Sequence, residues 1–275
     1  MSPQKPVPGI PGAVIRRVDA LPADLPGSAP AGPQMQAKPG QLLLVYPGIG
    51  RFLARDGAVI EFAHDDDADS GAIALFLHGT ARGALIHQRG ELPLHAATLV
   101  PPGGDRALAI CGHSGAGKST LAAELSRRGW TLVADDTTRV TWNGDHPLAW
   151  PSRDSIKLWK DACEAAGIDT AALEPVMKDM EKFYIHVASR DEPIRLGTIL
   201  ELAADATGSP LSAGDKMALV SRNTYRPSHI VPLGTQNEHV RIVARIAAAC
   251  VTLRLQSDRS RPVQALADAV EAAVR

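Results

Sequence analysis

The chain has 275 residues, of which 45% are hydrophobic, and its formal net charge is −1 at pH 7. This length allows a large buried core, and the balanced charge argues against a general attraction to nucleic acid or to an anionic membrane. No apolar run has the length of a membrane span or of a signal-peptide core, and the three cysteines have no metal-ligand spacing, so we expect a cytoplasmic protein.

The first 90 residues divide into two parts. Residues 1–40 are rich in Pro, Ala and Gly, which predicts an extended or disordered segment. The short apolar runs LLLVY, GRFLA and AVIEFA follow, separated by turn signals, and they predict a small antiparallel sheet over residues 41–63. Helical periodicity over 71–88 completes a small, β-rich α+β domain, which we place at residues 41–90.

Residues 91–275 alternate between strand and helix patterns. LHAATLV and ALAIC predict two strands, followed by a glycine-rich loop, a helix over Ser119–Arg128 and a strand over Thr131–Ala134. Beyond Pro151 the patterns predict helices over 154–166, 171–180, 212–222, 236–249 and 262–274, and strands over Phe183–Val187, Gly197–Ala203 and Val251–Gln256. Such alternation predicts an α/β domain, a sheet flanked by helices.

The glycine-rich loop has a specific pattern. The P-loop, or Walker A, motif is matched at every fixed position by the run Gly112, His113, Ser114, Gly115, Ala116, Gly117, Lys118 and Ser119, and Thr120 extends it. Glycines let successive backbone N–H groups turn toward phosphate oxygens, the lysine supplies a positive charge, and the hydroxyl of Ser119 can bind Mg²⁺. With a strand before it and a helix after it, the motif predicts binding of a nucleoside triphosphate with magnesium.

Two adjacent carboxylates follow the next strand. Asp135 and Asp136 come directly after Thr131–Ala134, and a right-handed crossover would bring this strand end to the same sheet edge as the loop. One carboxylate can then hold magnesium while the other orients or deprotonates an attacking hydroxyl. The alternative, in which both serve only the metal and its water as in a P-loop hydrolase, remains open on spacing alone.

The stretch LPLHAATL…AICGHSGAGKSTLAAELSRRGWTLVADD resembles the catalytic domain of the HPr kinase/phosphorylase family. Weaker similarity in PSRDSIKLW, LGTILELA and SRNTYRP points to short relatives known as HPr-kinase-like serine kinases, and residues 41–90 resemble the small N-terminal domain of those relatives. The resemblance implies a P-loop kinase fold and an ATP- and Mg²⁺-dependent kinase that phosphorylates a serine of a protein or peptide, such as a lasso-peptide precursor. It also implies a homo-oligomer.

The resemblance also implies residue roles. Lys118 and the loop amides would hold phosphate, Ser119 would bind magnesium, and His95 would sit near the reaction centre. Asp135 is the preferred base and Asp136 the preferred metal partner, with their order left open. A glycine-rich signature that the full-length family carries for the reverse, phosphate-dependent reaction is missing here, which argues against the phosphorylase activity.

Further candidates rest on the residues alone. Glu201 lies in an apolar strand, where a carboxylate needs a partner, and it is either a magnesium ligand or an edge residue facing water. Arg222 and Arg226 are the preferred contacts for phosphate or an anionic substrate, and Lys157 and Lys182 are further candidates. We interpret Trp159 as a core or interface aromatic.

Three functional hypotheses follow from these observations. The first is a kinase for a serine of a protein or peptide, and the second is a small-molecule kinase, for example for free serine. The third is a nucleotide-dependent switch or ATPase without phosphoryl transfer. We prefer the first hypothesis.

Overall fold

A computed structural model describes residues 4–206, 209–257 and 261–274. The chain is mixed α/β and divides into two compact units. The first unit contains the described residues up to Pro93 together with Val176–Met180 and Tyr225–Ile242, and the second contains Leu94–Pro175, Glu181–Thr224 and the chain from Val243 onward. The two later segments of the first unit fall inside the predicted 91–275 domain.

The first unit is built on a seven-stranded sheet with the strand order β1-β2-β7-β6-β5-β4-β3. All pairings are antiparallel except that of β2 with β7. The strands are β1 (Lys5–Pro6), β2 (Val14–Arg17), β3 (Ala29–Gly32), β4 (Met35–Lys38), β5 (Gln41–Tyr46), β6 (Gly50–Arg55) and β7 (Val59–His64). The predicted antiparallel sheet over 41–63 therefore forms, as the centre of a larger sheet.

Residues 4–40 differ from the prediction of an extended or disordered segment, because they contribute four strands to this sheet. Their few apolar side chains are placed efficiently: Val7, Ile10 and Ile15 are buried in the main core of the unit. Leu21 and Leu25 form a second cluster with Leu43 and Leu53 on other strands. Composition alone did not reveal that this segment folds, because the side chains against which it packs lie elsewhere in the chain.

The predicted helix over 71–88 forms as three consecutive helical pieces. These are α1 (Ser70–Phe76), a π-helical turn (Leu77–Ala81) and α2 (Arg82–Gln88). The Asp69 side chain caps α1 by accepting the Ala72 N–H at 2.8 Å, and Leu85 and Ile86 of α2 are buried in the main core. Later in this unit a 3₁₀ turn (Pro227–His229) leads into α6 (Ile230–Leu233).

The second unit is built on an eight-stranded mixed sheet, in which β17 pairs with β16 beside the path β11-β9-β10-β16-β13-β12-β8. Its strands are β8 (Leu92–Leu94), β9 (Ala97–Val100), β10 (Arg106–Gly112), β11 (Thr131–Ala134), β12 (Thr138–Asn143), β13 (His146–Trp150), β16 (Ile194–Ala203) and β17 (Val251–Gln256). A two-stranded sheet joins β14 (Ser155–Trp159) to β15 (Lys182–His186). The helices are α3 (Lys118–Arg127), α4 (Lys160–Ala165), α5 (Ala213–Arg222) and α8 (Val263–Val274), and α7 (Gln236–Ala249) has its first half in the first unit and its second half in this one.

Burial explains the position of the central strand β10. It pairs in parallel with β16, and β16 pairs in parallel with β17, so the carboxyl ends of these three strands share one edge. From Ala107 to Gly112 every residue of β10 is buried, as expected for a strand covered on both faces. Leu121 and Leu125 of α3 and Val270 of α8 belong to the core cluster on this sheet.

Two helix predictions between residues 154 and 180 were wrong. Residues 155–159 form strand β14 and only Lys160–Ala165 is helical, because Ile156 and Leu158 are buried, alternate with the less buried Lys157 and Trp159, and pair with β15. Residues 171–180 form turns instead of the predicted helix. The hairpin of β12 and β13 around Asn143, Gly144 and Asp145 was missed, although Asn-Gly is a strong hairpin signal.

Candidate functional site

The glycine-rich loop connects the end of β10 to the start of α3, as the strand–loop–helix pattern predicts. Gly112 has φ 144°, and a Cβ there would lie 2.8 Å from the Leu202 carbonyl oxygen, so only glycine fits this bend. Gly117, with φ 92°, precedes the first residue of α3. The loop thus places its backbone at the positive, N-terminal end of a ten-residue helix.

Lys118 folds back over the loop that precedes it. Its ammonium donates to the carbonyls of Gly112 at 2.8 Å and His113 at 3.1 Å. The side chain is largely buried, and this burial lowers the pKa of the lysine. Nearby Asp135 and Asp136 act in the opposite direction and favour the charged form. A buried cation therefore lies beside the loop amides and the carboxylate pair.

Asp135 and Asp136 follow β11, and their side chains have different partners. Asp135 accepts the Ser119 hydroxyl at 3.1 Å and the Lys157 backbone N–H at 3.0 Å. Asp136 instead accepts the Lys157 ammonium at 2.7 Å. Asp136 also has φ 70°, an unfavourable conformation for a residue with a side chain, of the kind that clusters at functional sites.

The two carboxyl groups also differ in acidity. Burial raises the pKa of Asp135, and the neighbouring Asp136 adds to the rise, although Lys157 opposes both effects. Burial acts in the same direction on Asp136, but its contact with Lys157 prevails and lowers its pKa to about 2. Asp136 is consequently a carboxylate at neutral pH, with its charge balanced by a lysine.

Lys157 and Lys182 bring two further positive charges to the aspartate pair. They lie on the paired strands β14 and β15, and both line the same cavity as the aspartates. Burial, followed by the charge of Lys157, lowers the pKa of Lys182. The Lys182 ammonium also lies 5.1 Å from the centre of the Trp159 ring, close enough for a cation–π contact. The sequence had named these lysines only as secondary candidates.

His95 lies just before β9 and reaches the same place. Its Nδ1 lies 2.8 Å from the backbone carbonyl of Asp136, to which it donates, and 3.6 Å from the Asp136 carboxylate. Burial, and then the charge of Lys118, lowers the pKa of His95. The ring is therefore neutral at pH 7, with its proton on Nδ1 and its lone pair on Nε2.

A cavity of about 550 Å³ joins these groups within the second unit. Its lining includes the loop from Ser114 to Thr120, both aspartates, His95 and the three lysines. Its lining also includes Trp159, which is 53% exposed, together with Arg261 and Leu266. Gly112 and His113, which were predicted to bind nucleotide, form the base of the loop, and the His113 ring donates to the Ser114 carbonyl at 2.7 Å. The volume is in the range of ordinary ligand pockets.

Glu201, the third predicted metal ligand, has a set of hydrogen-bond donors around its carboxylate. It is nearly buried on β16 and accepts from Arg222 Nε at 2.7 Å, Asn223 Nδ2 at 2.9 Å and Arg254 Nε at 3.0 Å. Burial alone would raise the pKa of Glu201, but these bonds, that of Arg222 foremost, lower it. Among the described residues, no group of three or more His, Cys, Asp and Glu side chains is arranged to hold a metal.

Arg222 and Arg226, both predicted to contact phosphate or an anionic substrate, belong to different units. Arg222 ends α5 in the second unit and binds Glu201, whereas Arg226 belongs to the first unit and has φ 51°. The two arginines therefore do not share a helical face. Arg254 was not predicted as a partner of Glu201. It is the charged residue of the apolar strand VTLRLQ and lies in register with Glu201, whose carboxylate was expected to need a partner.

Comparisons with known proteins add little to this geometry. No family model matches the chain, and no curated protein matches it. One solved structure with detectable similarity is the Hpr(Ser) kinase/phosphatase from Coxiella burnetii, at 20% identity and a TM-score of 0.30, covering 44% of this chain and 70% of that chain. A likeness of this size carries no argument about function. None of the helices in the described ranges combines the length and apolar character needed to cross a membrane.

Proposed function

We propose that the chain is an ATP- and Mg²⁺-dependent kinase that transfers the γ-phosphoryl group to a serine hydroxyl of a protein or peptide. The observation that supports this best is the convergence of the loop, an aspartate pair and three lysines on one cavity. Phosphoryl transfer needs positioning and charge neutralisation more than covalent chemistry, and this set of residues supplies both.

The first part of the proposal concerns the nucleotide. The loop amides at the start of α3 and the ammonium of Lys118 bind the β- and γ-phosphates. The Ser119 hydroxyl and the Asp135 carboxylate, 3.1 Å apart, are hard oxygen groups of the type that Mg²⁺ prefers, and they would hold the ion. Bound there, it would supply neutralisation of the phosphate charge.

The geometry leads us to reverse the order preferred from sequence for the two aspartates. Asp135 contacts the hydroxyl of Ser119 and so belongs to the magnesium side. Asp136 instead contacts the Lys157 ammonium and His95, and we assign it the acceptor hydroxyl. Position takes precedence over basicity here, because a base must first reach the proton it removes. Glu201 then has a structural role with its arginines.

The serine oxygen forms a bond to the γ-phosphorus while the bond from that phosphorus to the β–γ bridging oxygen breaks, which yields ADP and a phosphoserine. The hydroxyl proton passes to Asp136. Lys157 and Lys182 stabilise the charge on the transferred group, and the neutral ring of His95, bonded to the Asp136 backbone, holds that residue in place.

The test uses purified full chain, γ-labelled ATP, Mg²⁺ and two acceptors in separate reactions: a library of serine-containing peptides and free L-serine. Label in the peptide fraction, lost with Lys118→Ala, is the expected result. Label in a low-mass product alone would support a small-molecule kinase instead. Release of phosphate without label in either acceptor would support a nucleotide-dependent switch or ATPase.

A further inference from the structure

Asn223 is hydrogen-bonded to several separate segments of the second unit, and the proposed function does not account for these bonds. It directly follows α5 and is only 6% exposed. Its side-chain oxygen accepts the N–H of Gly112 at 3.1 Å, and its side-chain nitrogen donates to Glu201 at 2.9 Å and to the Leu219 carbonyl at 2.9 Å. Its backbone carbonyl accepts the N–H of His95 at 2.7 Å.

The chemistry of these partners fixes the orientation of the side-chain amide. The Gly112 N–H can only donate, whereas the Glu201 carboxylate and the Leu219 carbonyl can only accept. If the amide were flipped, its NH₂ group would face the Gly112 N–H, and its oxygen would face the Glu201 carboxylate and the Leu219 carbonyl. Asparagine is thus required in one orientation, and aspartate, which has the same shape, would place a second carboxylate against Glu201.

One branch of this network leads to the phosphate-binding loop. Gly112 is the bend at which β10 becomes the loop, and its own carbonyl accepts the Lys118 ammonium at 2.8 Å. The N–H and the carbonyl of this one residue are therefore bonded to Asn223 and to the lysine, respectively. The Asn223 side chain sets the direction in which the loop leaves the sheet.

The other branch leads to the aspartate pair. The Asn223 carbonyl holds the backbone of His95, and the His95 ring donates to the backbone carbonyl of Asp136 at 2.8 Å. Leu94 and Thr224 form an adjacent antiparallel bridge, which keeps the two segments in register. Asn223 is the residue at which the nucleotide side and the acceptor side of the site meet.

Glu201 is the charged anchor of the network. Its buried carboxylate is held by Arg222 and Arg254, and Arg254 also donates to Asp205 at 2.7 Å. A carboxylate held by two guanidinium groups has little freedom to rotate, so it is a fixed acceptor for Asn223.

We propose that Asn223 is a positioning residue that holds the Gly112 amide, and through it Lys118, in a fixed relation to His95 and Asp136. The positioning itself is a property of the free chain. Its effect on transfer rests on the proposed kinase function.

The decisive measurement is amide hydrogen exchange of the full chain without nucleotide. In Asn223→Ala the Gly112 amide should exchange roughly 3- to 10-fold faster, as expected for loss of one hydrogen bond, with a smaller effect at His95. The control is Val270→Ala, a buried truncation on α8 outside this network. Unchanged Gly112 exchange in Asn223→Ala, or an equal change in the control, would overturn the proposal.

A charge-conserving swap provides a second test if Asn223→Ala does not fold. Asn223→Asp alone retains an acceptor for Gly112 but sets two carboxylates against each other, whereas adding Glu201→Gln removes that repulsion, although the Leu219 carbonyl still lacks its donor. We expect Gly112 exchange to be slower in the double variant than in Asn223→Asp. Equal exchange in the two variants would contradict the assigned bonds.

Kinetics connect the positioning to function. With γ-labelled ATP and the peptide library, Asn223→Ala should lower kcat about 10- to 100-fold while the KM for ATP changes only a few-fold, since the groups that contact ATP remain. A change in KM alone would contradict a role in aligning the two sides. If the wild-type chain transfers no label, the proposed kinase function fails, and the exchange data still decide the role of Asn223.

Discussion

At the scale of single residues, the electrostatics of the aspartate pair organise the site. Asp135 and Asp136 are neighbours in sequence, yet one contacts the Ser119 hydroxyl and the other the Lys157 ammonium. The motif identified both carboxylates, but their division of labour depends on a lysine 21 residues later, on a strand that the sequence had predicted as helix. Such a distant partner leaves no local pattern in the sequence.

Replacing Lys157 with Met tests this division. The substitution removes the cation that balances Asp136, so the pKa of Asp136 should rise from about 2, and charge on the transferred group loses a partner. We expect kcat for label transfer to fall roughly 10²- to 10³-fold, as when one preorganised donor is removed. Lys160→Met is the matched control, because Lys160 lies three residues away and pairs with Glu181 at the surface. Equal activity of the two variants would remove Lys157 from the mechanism.

At the scale of secondary-structure elements, the strand–loop–helix unit was readable from sequence. ALAIC, the glycine pattern and the periodicity of Leu121 and Leu125 all describe local structure, and the observed β10, loop and α3 match them. Residues 154–180 were harder, because β14 is defined by its pairing with β15 across a turn-rich segment of more than 20 residues. Pairing over that distance is set by tertiary packing, which outweighs local propensity.

Gly112→Ala tests the geometry of this unit. The added Cβ would lie 2.8 Å from the Leu202 carbonyl oxygen, in a backbone conformation that alanine disfavours, so the loop must shift. ATP affinity, measured by titration with Mg²⁺, should fall at least about 10-fold, given roughly 1–3 kcal/mol of strain in the loop.

Gly144→Ala is the control for this substitution. Gly144 also has a positive φ but faces open space at the turn between β12 and β13. This variant should lose some stability and retain wild-type ATP affinity. Wild-type affinity in Gly112→Ala would show that the loop does not need the observed bend.

At the scale of the whole molecule, the two compact units have different relations to the sequence. The second unit contains all the residues that line the candidate cavity. The alternation of strand and helix patterns in its sequence predicted a mixed α/β architecture. The first includes the N-terminal strands and the later segments Val176–Met180 and Tyr225–Ile242, which no local composition shift marks. The assignment of residues 91–275 as a catalytic domain stays a prediction.

Acid stability should be governed partly by two buried histidines of the first unit. The rings of His87 and His229 lie 5.9 Å apart. Burial lowers the pKa of His87 to about 4 and, with the charge of His87, that of His229 to about 3. Since the unfolded chain binds protons near pH 6.5, stability is complete above that pH and is lost as pH falls toward 4 and then 3.

Urea unfolding of the full chain at pH 7.5 and pH 5 measures this effect. Each histidine should remove about 2 kcal/mol from the free energy of unfolding between these two values. His229→Leu should abolish its share, because neither ring nitrogen of His229 has a hydrogen-bond partner in the described part of the chain. Leu233→Ala, a buried truncation in the core of the same unit that removes no titratable group, should leave the difference unchanged. A wild-type pH difference in His229→Leu would contradict the role given to His229.

In the proposed kinase, Asp136 serves the acceptor hydroxyl while Asp135 serves magnesium. Label transfer to the peptide library, measured against Mg²⁺ concentration, compares Asp136→Asn with Asp135→Asn. We expect Asp136→Asn to lower kcat roughly 10²- to 10⁴-fold at an unchanged Mg²⁺ requirement, and Asp135→Asn to raise the Mg²⁺ concentration needed for half-maximal rate. Near-wild-type transfer by Asp136→Asn would contradict this assignment.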